Sequence, residues 1–231
     1  MKCKIIEVGK WIREKIPLWR NWSSFHKTWE YVSFWEFLLK QLFPQFKKNL
    51  YFPYDHNSTC CGNIIVGKNC KVTQRGGCYI QGWGKIFIGD YVEITQNCII
   101  ISRNHKLTNQ GEYTDYETII GDHCWIASNS LIMGGVVLGP RTVVAAGSVV
   151  TKSFPDGFCL IGGNPAKIIK TIPRNEFVPR QYKHEMYGYI PATKFSRYKK
   201  KKFSQIKFNY DLRKVSCNID LIEGLINEQS N

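Results

Sequence analysis

Residues 120–155 read IGDHCW, IASNSL, IMGGVV, LGPRTV, VAAGSV and VTKSFP in successive blocks of six. Each block opens on an aliphatic residue: Ile120, Ile126, Ile132, Leu138, Val144 and Val150. Four residues after the first five come Cys124, Ser130, Val136, Thr142 and Ser148, all small or β-branched. Gly121, Ala127, Gly139 and Ala145 directly follow the aliphatic position. A period of six is too long for one helical turn and too short for a hairpin. Each block is therefore one short strand and a tight turn, and the chain must wind as a solenoid that stacks like residues on successive coils. Three blocks make one triangular coil.

The same register begins upstream at Val66 and Val72 and resumes at Ile88, Ile94 and Ile100, with Cys70, Gly76, Val92 and Cys98 on the small-residue position. The step from Ile100 to Ile120 is not a multiple of six, so a loop leaves the solenoid there and returns. Residues 102–118, SRNHKLTNQGEYTDYET, have no apolar period and exceed an ordinary connection, a length usual for functional or disordered loops. The loop carries His105 and three acids, Glu112, Asp115 and Glu117. On the residues alone, His105 is an ordinary loop histidine.

Working outward, residues 1–60 hold five of the seven tryptophans: Trp11, Trp19, Trp22, Trp29 and Trp35. From Trp29 to Phe43 the polar residues Glu30, Ser33, Glu36, Lys40 and Gln41 recur at helical steps, and the other faces are apolar. The spacing predicts a helix too short and too charged to span a bilayer. It either caps the open end of the solenoid or lies in a membrane interface. Pro44 ends it.

Residues 76–84 break the register with four glycines. They read either as an irregular corner or as an acceptor-binding edge, in which Gln81 and Trp83 offer an amide and a stacking face to a sugar. Residues 156–170, DGFCLIGGNPAKIIK, close the solenoid through a turn at Gly162, Gly163 and Pro165. Beyond lies a tail in which Lys194, Arg197, Lys199, Lys200, Lys201, Lys202 and Lys207 alternate with Phe195, Tyr198, Phe203 and Phe208. Such a run is expected on a solvated surface, as a disordered extension, or against an anionic leaflet.

The chain carries a net charge of +14. Residues 61–170 contribute ten Lys/Arg against seven Asp/Glu, so the flanks carry most of the excess. Basic flanks suit phosphate or an anionic membrane surface. Nucleic acid is not expected, because neither zinc-finger spacing nor an RNP-type aromatic motif occurs. The nine cysteines include no C-x-x-C, and no structural metal is expected. Without a signal-peptide pattern, a reducing cytoplasm is the expected compartment, with peripheral contact on the cytoplasmic membrane face. Three regions follow: an aromatic-rich helical part over 1–60, the solenoid over 61–172 and a basic extension over 173–231.

Taken together, the hexad register, His105 on the looped-out segment, the run from Gly121 to Pro155 and the GNPAK at 163–167 closely resemble the hexapeptide-repeat acyltransferases, in particular the maltose, galactoside and polysaccharide O-acetyltransferase branch. The resemblance covers about residues 62–172. It implies an all-β solenoid of the left-handed parallel β-helix class, against the usual right-handed crossover rule. It also implies a homotrimer with sites between subunits, and acetyl-CoA as donor.

By the same resemblance His105 becomes the general base, with Glu112 as its partnering carboxylate and Asp115 or Glu117 as fallbacks. Trp125 packs beside the pantetheine arm, Ser128 and Ala146 contact it, and Lys152, Lys167 and Lys170 meet the phosphates. Ala127 departs from the Gly common in the family after Trp-Ile and narrows the room for the arm. Residues 75–84 diverge, so the acceptor does not carry over. The expected activity is acetyl transfer from acetyl-CoA to a sugar hydroxyl of a surface polysaccharide or its lipid-linked precursor. The alternatives are transfer to a nitrogen of an antibiotic or amino sugar, and a solenoid binding protein without chemistry.

Overall fold

A computed structural model describes residues 34, 35, 38, 50–55, 57–73, 76–180, 182 and 184–227. Its centre is a parallel β-solenoid of about five coils. The first three coils comprise β1 (Thr59–Val66), β2 (Tyr79–Ile88), β3 (Glu93–Ile94) and β4 (Ile99–Ile101), then a hairpin of β5 (Arg103–His105) and β6 (Tyr113–Asp115), then β7 (Glu117–Ile120) and β8 (Trp125–Ile126). The last two comprise β9 (Leu131–Ile132), β10 (Val137–Leu138), β11 (Thr142–Val144), β12 (Val149–Val150) and β13 (Cys159–Gly163). β14 (Ala166–Thr171) folds back antiparallel on β13.

The pairing yields three walls. On the first, Val66, Ile88, Ile120 and Leu138 stack in register. On the second, Ile94, Ile126, Val144 and Ile161 do so. The third stacks Ile80, Ile100, Ile132 and Val150. All twelve residues point inward and are essentially fully buried, as hexad periodicity predicts. Short strands suffice because each coil borrows its hydrogen bonds from the coils above and below.

The residue type at the corners follows from backbone geometry. Asn69, Tyr91, His123, Arg141 and Phe158, one per coil along one edge, all have positive φ, as do Asn97 and Asn129 along another. Each of Tyr91, His123, Arg141 and Phe158 donates its N–H to the preceding coil, to Lys68, Asp90, Asp122 and Pro140 in turn. The small-residue positions turn inward at these corners. There Cys70, Cys98 and Cys124 are buried free thiols bonded to backbone carbonyls, acting as compact filler.

Residues after Thr171 continue through β15 (Met186–Tyr187), β16 (Ile190–Pro191), α1 (Ala192–Lys202) and α2 (Ile219–Ile222). They complete the core at two places. On the first wall the outward residues Ile65, Phe87 and Ile119 are as buried as the inward ones. The segment around Phe208 and Val215 covers them, with the Phe208 ring 6.0 Å from that of Phe87. Glu117 accepts the N–H groups of Asn209 and Tyr210, and Asp122 that of Cys217, fastening the segment down.

At the first coil, Tyr51 is fully buried, bonds the backbone of Val66, and packs on Phe195, Tyr198 and Phe203. Of the tail aromatics, Phe195, Phe203 and Phe208 are therefore buried, while Lys194, Arg197, Lys200 and Lys201 face solvent. The expected helix at 29–43 lies outside the described residues except for Phe34, Trp35 and Leu38, which are helical.

Candidate active site

The segment expected as a long loop is a β-hairpin that leaves the solenoid at the corner between its third and first walls, after Ile101 and before Glu117. Its two legs are joined where Tyr116 donates its N–H to the Ser102 carbonyl at 2.7 Å. Ser102 is fully buried: its hydroxyl donates to the Gln81 carbonyl at 2.9 Å and accepts the Gly84 N–H at 3.1 Å. A Cβ on Gly84 would run into the carbonyl oxygens of both Ser102 and Tyr116. That collision accounts for one glycine of the 76–84 run: β2 passes directly beneath the hairpin's root.

His105 pairs with Tyr113 across the hairpin and is exposed, with ring centroids 4.5 Å apart. Its Nδ1 lies 2.5 Å from the carbonyl oxygen of Gln110. A carbonyl only accepts, so Nδ1 carries a proton, and in the neutral ring Nε2 is the nitrogen with the lone pair. Glu112 is engaged elsewhere: its carboxylate accepts from Lys106 at 2.5 Å and from Asn109 at 2.9 Å. Of the two fallbacks, Asp115 forms a bidentate pair with Arg103, which holds its carboxyl below the usual carboxylate range. Glu117 bonds Lys85 and the Asn209 and Tyr210 amides. The hydrogen-bond partner of the imidazole in this structure is thus a backbone carbonyl.

Gln81 turns its amide toward the hairpin, accepting from the Arg103 N–H at 3.0 Å and donating to the Arg103 carbonyl at 3.3 Å. Trp83 is 51% exposed and lines a cavity of about 620 Å³ together with Tyr51, Tyr54, Asn63, Tyr198 and Lys202. His105 is not among the residues lining it.

The expected donor residues divide among the corners. Ser128 and Ala146 are equivalents one coil apart at the corner between the second and third walls, where the Ser128 carbonyl accepts the Gly147 N–H at 2.9 Å. Ser128 shares a hydroxyl contact of 3.0 Å with Thr95 on the coil below. Trp125, 46% exposed, stands on the outer face of the second wall in one row with Val143, Leu160 and Lys170. Lys167 pairs with Gly162 on the same edge. Lys152 follows Val150 of the third wall and lies toward the corner from which the hairpin emerges. Within one chain, therefore, His105 and the Ser128–Ala146 corner belong to different edges. Among the described residues no group of His, Cys, Asp and Glu is placed to hold a metal ion.

Sequence reasoning missed Arg103, Tyr113 and the Gln110 carbonyl. An Arg one residue inside the start of the loop and an Asp three residues inside its end, at 103 and 115, are opposite charges near its two ends, the one hairpin signal the sequence carries. A backbone acceptor leaves no trace in a sequence.

The family described as bacterial transferase hexapeptide (six repeats) matches residues 117–152. A Staphylococcus aureus protein named provisionally as an acetyltransferase is 33% identical over 139 residues, which are 58% of this chain and 68% of that one. The galactoside O-acetyltransferase of Escherichia coli is 29% identical over 147 residues, 59% of this chain and 68% of the enzyme. The crystal structure of a maltose O-acetyltransferase from Clostridium difficile superposes with a TM-score of 0.53 at 24% identity, covering 70% of this chain and 91% of that one.

Proposed function

Because this chain belongs to the hexapeptide-repeat acetyltransferases, we propose that it moves an acetyl group from acetyl-CoA to a sugar hydroxyl, at a site completed between copies of the chain. An unassisted alcohol is a poor nucleophile at neutral pH. Nε2 of His105 takes the hydroxyl proton as the oxygen attacks the thioester carbonyl. The tetrahedral intermediate collapses to the ester, and the imidazolium returns the proton to the departing thiolate. The donor's arm lies along Ser128 and Ala146 beside Trp125, and Lys152, Lys167 and Lys170 supply point charges toward its phosphates. The acceptor is a surface polysaccharide or its lipid-linked precursor.

The observation that carries this reading is His105 itself, held through Nδ1 with Nε2 free, on a different edge from the Ser128–Ala146 corner. A base and a donor groove on separate edges meet when two copies pack side by side. The third wall supports such packing, since its outward residues Tyr79, Ile99, Leu131 and Val149 form an apolar row that is only partly covered. A head-to-tail contact of this kind closes into a ring, here a homotrimer. Peripheral attachment to an anionic leaflet through the basic flanks belongs to the same proposal. Among the described residues no helix is long and apolar enough to cross a membrane.

The test is subunit complementation with an acceptor panel of sugars, amino sugars and aminoglycosides. His105→Ala is expected to lower kcat about a hundredfold or more, the ordinary contribution of a positioned base. Ala146→Trp is expected to block the donor groove. Refolded as an equal mixture, the two inactive variants should recover about a quarter of the parent's activity, since one interface in four pairs an intact base with an intact groove. No recovery would place base and donor on one chain, and a fully active His105→Ala would remove the base.

A further inference from the structure

We infer that Gln81 and the Arg103–Asp115 pair are positioning residues for His105, setting the hairpin's angle on the solenoid, and that Gln81 is not a ligand of the acceptor. The inference rests on the reading of His105 as the base.

The hairpin is attached to the solenoid at its root, and His105 lies only three residues beyond Ser102. Gln81 sits on the outward side of β2 and is half-buried. Its side-chain oxygen accepts from two successive amides, Ser102 at 3.4 Å and Arg103 at 3.0 Å, while its side-chain nitrogen donates to the Arg103 carbonyl at 3.3 Å. One amide group thus reads both polar groups of the residue that starts β5. That arrangement occupies both lone pairs of the oxygen and one of the two N–H groups, so a single N–H is left for any other partner.

The second brace is Arg103. Its guanidinium spans the two strands to Asp115, its Nη2 reaches the Trp83 carbonyl at 3.4 Å on the solenoid, and its carbon stands 5.4 Å from the centre of the Tyr113 ring. That ring is the one against which His105 rests. Two links therefore run from β2 to the imidazole, one through the backbone of Arg103 and one through its side chain. One goes through Gln81 and the β5 backbone, and the other through Trp83, Arg103 and Tyr113. Gln81 and the Arg103–Asp115 pair reach the imidazole only through the β5 backbone and the Tyr113 ring, so their effect is on where it points. A displacement of about 1 Å at a reacting group is enough to cost two orders of magnitude in rate.

Gln81→Ala and Asp115→Asn are compared with the parent and with His105→Ala by steady-state kinetics and by hydrogen exchange of residues 103–115 in the full-length protein. Each variant is expected to lose about tenfold or more in kcat, to keep KM for acetyl-CoA within about twofold, and to exchange faster across the hairpin while the solenoid strands keep their protection. Unchanged kcat and unchanged exchange in both variants would overturn the inference. So would a raised acceptor KM at normal kcat in Gln81→Ala, which would make Gln81 an acceptor ligand. The exchange readout does not depend on chemistry: a still active His105→Ala would sink the base assignment, whatever the hairpin does. Asp115 lies on the exposed side of the hairpin, so its variant remains informative if Gln81→Ala folds poorly.

Discussion

His123 illustrates how a corner position sets a side chain's chemistry. It follows Asp122 at a left-handed corner, and its ring stacks on Tyr91 at 4.9 Å and meets the edge of Phe177 at 5.0 Å. Burial, together with the charges of Arg141 and Arg180, pushes its pKa down to about 4 from an ordinary 6.5. The unfolded chain therefore binds a proton more readily than the folded one between those values. The stability this group contributes is complete above pH 6.5 and is lost as pH falls toward 4. Asp90 runs in the opposite direction. Burial and the neighbouring Asp122 raise its carboxyl to about 6 from 3.8, so its contribution is complete below 3.8 and is lost as pH rises through 6. Because the two slopes oppose, the parent's melting temperature alone does not separate them. His123→Phe keeps the stack and removes one of them. Its melting temperature should fall less than the parent's between pH 7.5 and pH 5 in scanning calorimetry, and an equal fall would show that His123 does not titrate as its surroundings dictate. None of this is visible in the hexad IGDHCW, where position 123 reads as one polar turn residue among several.

The β5–β6 hairpin is the element on which the legibility of the candidate site turns. The solenoid could be read directly, because every inward position repeats at a fixed interval and burial rewards only aliphatic residues there. The hairpin has no such periodicity. Its strands are held by Arg103–Asp115 and by backbone pairing instead of by apolar burial, so 102–118 read as a loop and Glu112 as the partner of His105. A role for His105 as base was suggested only by the resemblance, and the Gln110 carbonyl was not legible by any route. Gly84 offers a direct test of the root. Gly84→Ala drives a methyl group into two backbone carbonyls that cannot move independently of the hairpin. Turnover is expected to fall by about a hundredfold while far-ultraviolet circular dichroism keeps the solenoid's signature. Parental turnover would mean that the hairpin tolerates a shifted root.

At the scale of the whole molecule, charge and aromatic rings part along α1 and the segment that follows it. The tail looks aromatic and basic in sequence, and folding sorts the two classes: Phe195, Phe203 and Phe208 go into the core, and α1 presents Lys194, Arg197, Lys200 and Lys201 to solvent. Those four cations have no carboxylate partner among the described residues, whereas Lys199 is buried beside Glu223. With these rings committed inward, attachment of α1 to a leaflet would be electrostatic, at about 1 kcal/mol per cation near the surface. Binding to phosphatidylserine vesicles is expected to weaken steeply between 50 and 300 mM salt, on the order of one Debye-length effect. It should be largely lost in the variant with all four replaced by glutamate, and salt-insensitive binding would assign attachment to another surface. The lining of the first wall by residues near 208 and 215 has a practical corollary. Anyone trimming the protein to its solenoid, stopping at Thr171 where β14 ends, would strip away an outer skin along with what looks like a dispensable appendage. Ile65, Phe87 and Ile119 would lie bare in a line, and the shortened product would be recovered as sediment from the expression host.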